Sequence, residues 1–159
     1  MIAFIHRLNE TLGRAVSWLS LAMVLLMFVS VLLRYVFNFS TVWQQELVTA
    51  LYAVLFLLAA GYTLKHDGHV RIDVLYQHFS PRKKAWVNIL GVVLFLWPVC
   101  GALFYTSFDF VLSSWHLLEA SPEYNGLYGI FLIKTCLWVF AVCVALQGLA
   151  VVGESLRDI

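Results

Sequence analysis

Four stretches of 18 to 24 residues, 15–33, 47–64, 85–108 and 135–153, contain no charged side chain. A helix rising about 1.5 Å per residue needs roughly 20 residues to cross a hydrocarbon core of about 30 Å, so each stretch is long enough to span a bilayer. Lipid offers no water to exposed backbone N–H and C=O groups, and the period-two alternation of a barrel strand is missing from these runs, so they read as helices. Composition agrees: hydrophobic residues make up 62% of the chain and charged residues 12%, with mean hydropathy +0.87, too little polar surface to cover a water-soluble globule of 159 residues. The expected fold class is all-α, an integral membrane protein with four transmembrane helices. They form one membrane domain, residues 1–159, with spans at about 15–36, 43–64, 85–108 and 130–153.

The charges between the spans are sorted by sign. Lys65, Arg71, Arg82, Lys83 and Lys84 lie between the second and third spans, whereas residues 109–133 carry Asp109, Glu119 and Glu123 and neither Lys nor Arg. By the positive-inside bias the first of these loops is cytoplasmic and the second faces outward. Arg7 and Arg14 place the N-terminus inside and Arg157 returns the C-terminus there, an N-in/C-in layout that suits the bacterial inner (cytoplasmic) membrane. The first apolar run is longer than a signal-peptide core and ends in Leu33-Arg34-Tyr35 instead of a small-residue cleavage site, so it reads as a retained span. Cys100, Cys136 and Cys143 all fall inside apolar runs without Cys-x-x-Cys spacing, which suits buried, inert thiols.

The connecting segments have their own signals. Met1, Ile5, Leu8 and Leu12 recur at near-helical spacing; a short interfacial amphipathic helix and a frayed terminus both fit them. Thr41 followed by Gln44 has the spacing of a capping box at the start of the second span. Gly68 is placed to stop that span's helix. Ile72, Leu75, Tyr76 and Phe79 fall at i, i+3, i+4 and i+7, the pattern of another short amphipathic segment on the inner surface. Ser80-Pro81 opens the third span, and Pro98 removes one backbone hydrogen bond inside it and predicts a kink.

Few residues suggest chemistry. His66, His69 and Asp73 have metal-ligand spacing, but Gly68 interrupts the helix that would align them, so no metal is expected. The five histidines all map to loops or membrane boundaries, away from the deep facing positions a haem bundle needs. No catalytic residue and no cofactor is expected, and the protein is read as not an enzyme. The second span carries the most specific signal: at 100° per residue Glu46, Thr49, Ala50, Ala53, Leu57, Ala60 and Gly61 share one stripe. Lys134, Ala141, Ala145 and Gly148 repeat that design on the fourth span, so the two stripes are expected to pack together, Ala53 near Ala141 and Ala60 near Gly148. An ionisable group within a span costs about 2.5 to 3.5 kcal/mol at the bilayer centre and less near its edge, so Glu46 is expected to have a partner. Lys134 and Arg34 compete for that role, as does a residue of another subunit.

Arg34-Tyr35-Val36-Phe37-Asn38-Phe39, then Trp43-Gln44-Gln45-Glu46-Leu47, then the run from Gly61 through Lys65-His66-Asp67-Gly68-His69-Val70-Arg71-Ile72-Asp73 to Val74, resemble the small membrane (permease) subunit of tripartite ATP-independent periplasmic (TRAP) transporters, the DctQ-like family. The family-motif positions are Arg34, Trp43, Gln45, Glu46, Lys65, Asp67, Gly68, His69, Arg71 and Asp73, and the segment from Ser121 to Leu127 resembles the branch labelled mannitol/chloroaromatic. The resemblance implies a scaffold subunit beside a large elevator-type membrane subunit that carries the substrate and sodium sites. Together with a soluble periplasmic binding protein, the two import an organic acid. Phospholipids are the remaining expected partner, and nucleic acid is not one. Asp109, Glu119 and Glu123 are candidates for docking the binding protein, with a solvated acidic loop as the alternative. The competing function is a self-sufficient four-helix transporter, or a membrane enzyme, acting as a homo-oligomer and using Glu46.

Overall fold

The computed structural model describes residues 2–66, 68, 76 and 78–157. It is built from helices α1 (Ile2–Val36), α2 (Val42–Lys65), α3 (Pro81–His116) and α4 (Ile130–Ser155), each long and apolar enough to cross a membrane. The segment before the first span is not a separate interfacial helix. α1 runs unbroken through it for 35 residues, a length of about 52 Å at the α-helical rise. Its N-terminal turns are held by protein: Ile5, Asn9, Gly13 and Val16 are buried.

α4 is the hub, in contact with the other three helices, while α1 packs along α2. Its residues allow this, because Ala141, Cys143, Gly148 and Ala150 are small and buried and let neighbouring backbones come close on several sides. One core cluster joins Cys100 of α3 to Ala141 and Val144 of α4, with Ala60 and Leu64 of α2 packed against it. The second close approach lies between α1 and α2. A Cβ on Gly13 would lie 2.3 Å from the Tyr62 ring, and one on Gly61 would lie 2.4 Å from Asn9 Oδ1.

A Cβ built on Gly148 would point at α3. The nearest neighbours of Gly148 are Val92, Leu96 and Trp97 of α3, and the Trp97 indole donates to the Ala145 carbonyl at 3.3 Å. Ala60 packs against the cluster of Cys100, Ala141 and Val144. Pro98 acts through the turn before it: residues Val92–Leu96 form a π-turn, in which the Trp97 N–H reaches the Val92 carbonyl. A wider turn relieves the ring clash that a proline imposes on the preceding carbonyls, and it places Val92 and Leu96 against Gly148.

Helix ends follow local chemistry. Asn38, at φ 53°, turns the chain after α1 so that the Phe39 N–H returns to the Leu33 carbonyl at 2.9 Å. Thr41 occupies the N-cap position of α2, but its side chain makes no capping bond, so the Thr41–Gln44 capping box does not form. Ser80 and Pro81 open α3 as expected, and the Gly68 N–H closes the end of α2 on the Thr63 carbonyl at 2.9 Å. Of the amphipathic pattern at Ile72, Leu75, Tyr76 and Phe79, the first two lie outside the described residues. The Tyr76 hydroxyl donates to Asn88 Oδ1 at 3.1 Å, beneath the Lys84 ammonium.

Gly13→Ala separates propensity from packing. In an isolated helix the change favours folding by about 1 kcal/mol; here the new methyl strikes Tyr62 near its backbone, and overpacking of about 1–3 kcal/mol wins. Reversible unfolding in detergent is expected to show net destabilisation.

Candidate functional site

The polar side chains gather at the two ends of the bundle. At one end stand the N-terminus of α1 and the C-termini of α2 and α4. Asn9 and Gln147 are both 1% exposed, and the Asn9 amide donates to Gln147 Oε1 at 2.9 Å, joining α1 to α4 through an otherwise apolar interior. His6 extends this tie, with Nε2 2.9 Å from Glu154 Oε1. Beside it the Glu10 carboxylate gathers three partners: Lys65 Nζ at 2.5 Å, Arg14 Nε at 2.9 Å and His66 Nε2 at 2.9 Å. Sequence reasoning missed Glu10 as a hub. The signal was there in its spacing of four from Arg14 and in Lys65 closing the facing helix.

At the other end Glu46 holds the connection between α3 and α4. Its Oε1 accepts from the Ser121 hydroxyl at 2.5 Å and its Oε2 from the Leu127 N–H at 2.6 Å. Residues 120–128 fold back on themselves to present these donors: the Ser121 N–H bonds to the Leu127 carbonyl at 2.9 Å, and Ala120 bridges to Tyr128. Asn125 is left-handed at φ 59°. Gly126 is needed at the contact, since a Cβ there would lie 2.5 Å from Ser121 and 2.9 Å from Glu46 Oε2. Trp43, one turn before Glu46, lines a shallow cleft with Asn125, Gly126 and Leu127.

Lys134 is the partner of Glu119, not of Glu46, and its ammonium also lies 3.9 Å from the centre of the Phe110 ring. The Lys134 ammonium holds the Glu119 carboxyl below the usual carboxylate range. Trp115 likewise ties helices together: its indole donates to Thr135 Oγ1 at 2.8 Å, and its ring meets Phe131 edge-on.

The other residues singled out by sequence disperse around this frame. Ala50, Ala141 and Gly148 are buried, and Ala53, Ala60 and Ala145 half-buried, on the helix interfaces. Arg34 and Gln45 are exposed where α1 meets α2, and Asp109 and Glu123 are exposed at the loop-bearing end of α3 and in its loop. Glu119 is engaged by Lys134, so the three acids do not form one free acidic face. The motif positions Asp67, His69, Arg71 and Asp73 lie outside the described residues. Among the described residues no group of three or more His, Cys, Asp or Glu is placed to hold a metal.

Residues 23–158 match the family described as tripartite ATP-independent periplasmic transporters, DctQ component. No curated protein and no solved structure matches the chain. The family match begins after Asn9, Glu10 and Gly13, so the close packing of the first turns of α1 lies outside it.

Two tests follow from the loop-bearing end. Glu46→Ala removes the acceptor of two donors, and amide exchange at Ser121, Gly126 and Leu127 should rise by about tenfold or more, the order set by a hydrogen bond to a charged group. The folded-state pKa of Glu119 is depressed, so its pairing with Lys134 stabilises above the ordinary carboxylate pKa and is lost as pH falls through the folded value. Thermal unfolding of the native chain should therefore weaken more on acidification than that of Lys134→Met.

Proposed function

This chain belongs to the DctQ component family of tripartite ATP-independent periplasmic transporters, and from that premise we propose that it is the static scaffold subunit of a sodium-coupled importer of an organic acid. A large elevator-type membrane subunit supplies the substrate and sodium sites, and a periplasmic binding protein delivers the acid. The chain itself is non-catalytic and sits in the inner membrane.

The observation that carries this reading is the state of Glu46. It is the ionisable group a small self-sufficient transporter would use, and both its carboxylate oxygens are taken by Ser121 and Leu127. A coupling carboxylate must exchange its proton or cation during each cycle, whereas a carboxylate that closes a loop is a fixed tie. Glu10, Asn9 with Gln147, and Lys134 with Glu119 are used in the same way. The polar groups thus hold four helices in one arrangement, which suits a body against which another subunit moves. Large apolar side chains such as Phe28, Phe95 and Tyr105 remain exposed on the flanks, where lipid or the large subunit covers them.

The orientation we propose is N-in and C-in. Arg7, Arg14, Lys65, Arg82, Lys83, Lys84 and Arg157 favour the cytoplasmic side, and the acidic segment holding Asp109, Glu119 and Glu123 favours the outside. Exposed Asp109 and Glu123 are then the better candidates for docking the binding protein.

Reconstitution tests the role. The chain alone in liposomes should move no organic acid, and uptake should need the large subunit, the binding protein and a sodium gradient. Asp109→Asn with Glu123→Gln should raise the binding-protein concentration giving half-maximal uptake and leave sodium dependence intact. Uptake by the chain alone, abolished by Glu46→Gln, would establish the self-sufficient transporter instead. Single cysteines at Asn38, Gln77 and Ser121 in a background without the native three test orientation: an impermeant outside reagent should label 38 and 121 and spare 77.

A further inference from the structure

Between the last turns of α1 and the first turns of α2 lies a cleft of roughly 410 Å³ that the ties described above do not use. Its lining is graded. Met27, Val31 and Val48 form the part towards the middle of the helices; Arg34, Ser40 and Gln44 form the part towards the connection. Met27 and Arg34 are seven residues apart on one helix, a separation of about 10 Å along its axis. An occupant complementary to this lining is apolar at one end and anionic at the other.

The anionic end is argued from three observations. Arg34 is exposed and has no carboxylate partner among the described residues, and no acidic side chain lines the cleft. Thr41, the N-cap residue of α2, lines the same space, and its side chain makes no capping bond to the first-turn N–H groups. Thr41 Oγ1 is itself buried without a partner. A guanidinium fork with no acid beside it, next to a helix N-terminus, favours a phosphate oxygen over a neutral group. The apolar end accepts a hydrocarbon chain, and the grading follows the bilayer, with Arg34 at headgroup level and Met27 below it.

We infer that this cleft is a binding site for an anionic phospholipid, with the lipid phosphate on Arg34 and an acyl chain along Met27, Val31 and Val48. A lipid seated there would fill the gap between α1 and α2 at the end where, among the described residues, no polar side-chain tie joins these two helices, the Glu10 cluster being at the opposite end. Free inorganic phosphate shares the headgroup chemistry but not the chain, so it tests the source of the ligand.

The experiment is native mass spectrometry of the full chain, with any subunit that co-purifies, released from detergent micelles containing phosphatidylglycerol. The native chain is expected to retain the lipid, Arg34→Gln to retain about tenfold less, the order of one lost charge-assisted contact, and Arg82→Gln, another headgroup-level arginine, to match the native chain. Val48→Trp, which fills the apolar part and keeps Arg34, should also lose lipid. Equal retention by the native chain and Arg34→Gln would overturn the site, as would an equal loss in Arg82→Gln, which would reveal general headgroup attraction. Inorganic phosphate that displaces the lipid, or binds through Arg34 where the lipid does not, would overturn the phospholipid as ligand.

Discussion

Close backbone approach at small residues is the constraint on which the rest of this structure depends. In lipid the association of helices gains little from hiding apolar surface, so it rests on van der Waals contact, and that falls away when a side chain holds two helices apart. α4 brings Ala141, Cys143, Gly148 and Ala150 to its interfaces, and α1 and α2 bring Gly13 and Gly61. Each glycine receives a large or polar neighbour: Gly148 faces Val92, Leu96 and Trp97, Gly13 the Tyr62 ring, and Gly61 the Asn9 side chain. The π-turn before Pro98 belongs to the same fit, because it sets Val92 and Leu96 against Gly148.

Polar ties become possible once the helices are that close. Asn9 reaches Gln147 only because Gly61 leaves room beside it, and the resulting bond lies in an interior where an unpaired amide is costly. Glu10 brings a carboxylate to Lys65 and Arg14 at one end, and Glu46 receives Ser121 and Leu127 at the other. The ties specify rather than drive the fold. Partly exposed ion pairs contribute little net stability, but each tie is satisfied only when its helix stands at one height and one rotation against its neighbour.

That division of labour bears on function. Transport by alternating exposure needs groups that change partners, whereas Glu10, Glu46 and Glu119 are placed to keep theirs. A DctQ component with this construction has fixed polar ties and broad apolar flanks, which suits the scaffold role proposed for it. The expectation that Glu46 would seek a cation followed from charge bookkeeping alone. Its actual partners are a hydroxyl and a backbone N–H, presented by a loop that turns on Asn125 and depends on Gly126.

The number of spans, their helical character and the sorting of charge to one end are local properties, and residue order by itself determined them: a run without charge reads as a span whatever surrounds it. The motif around Arg34, Trp43 and Glu46 likewise carried the family resemblance, because a motif is a statement about order. Tertiary structure alone decided that α1 is one helix through its first turns, that Gly148 faces Val92, Leu96 and Trp97 of α3, and that Lys134 belongs to Glu119. Such outcomes depend on the rotation of each helix about its axis and on the path of the loops. Two small-residue stripes can each meet several partners, and a backbone N–H has no signature in the sequence, so these choices are made only when the whole set of helices packs at once.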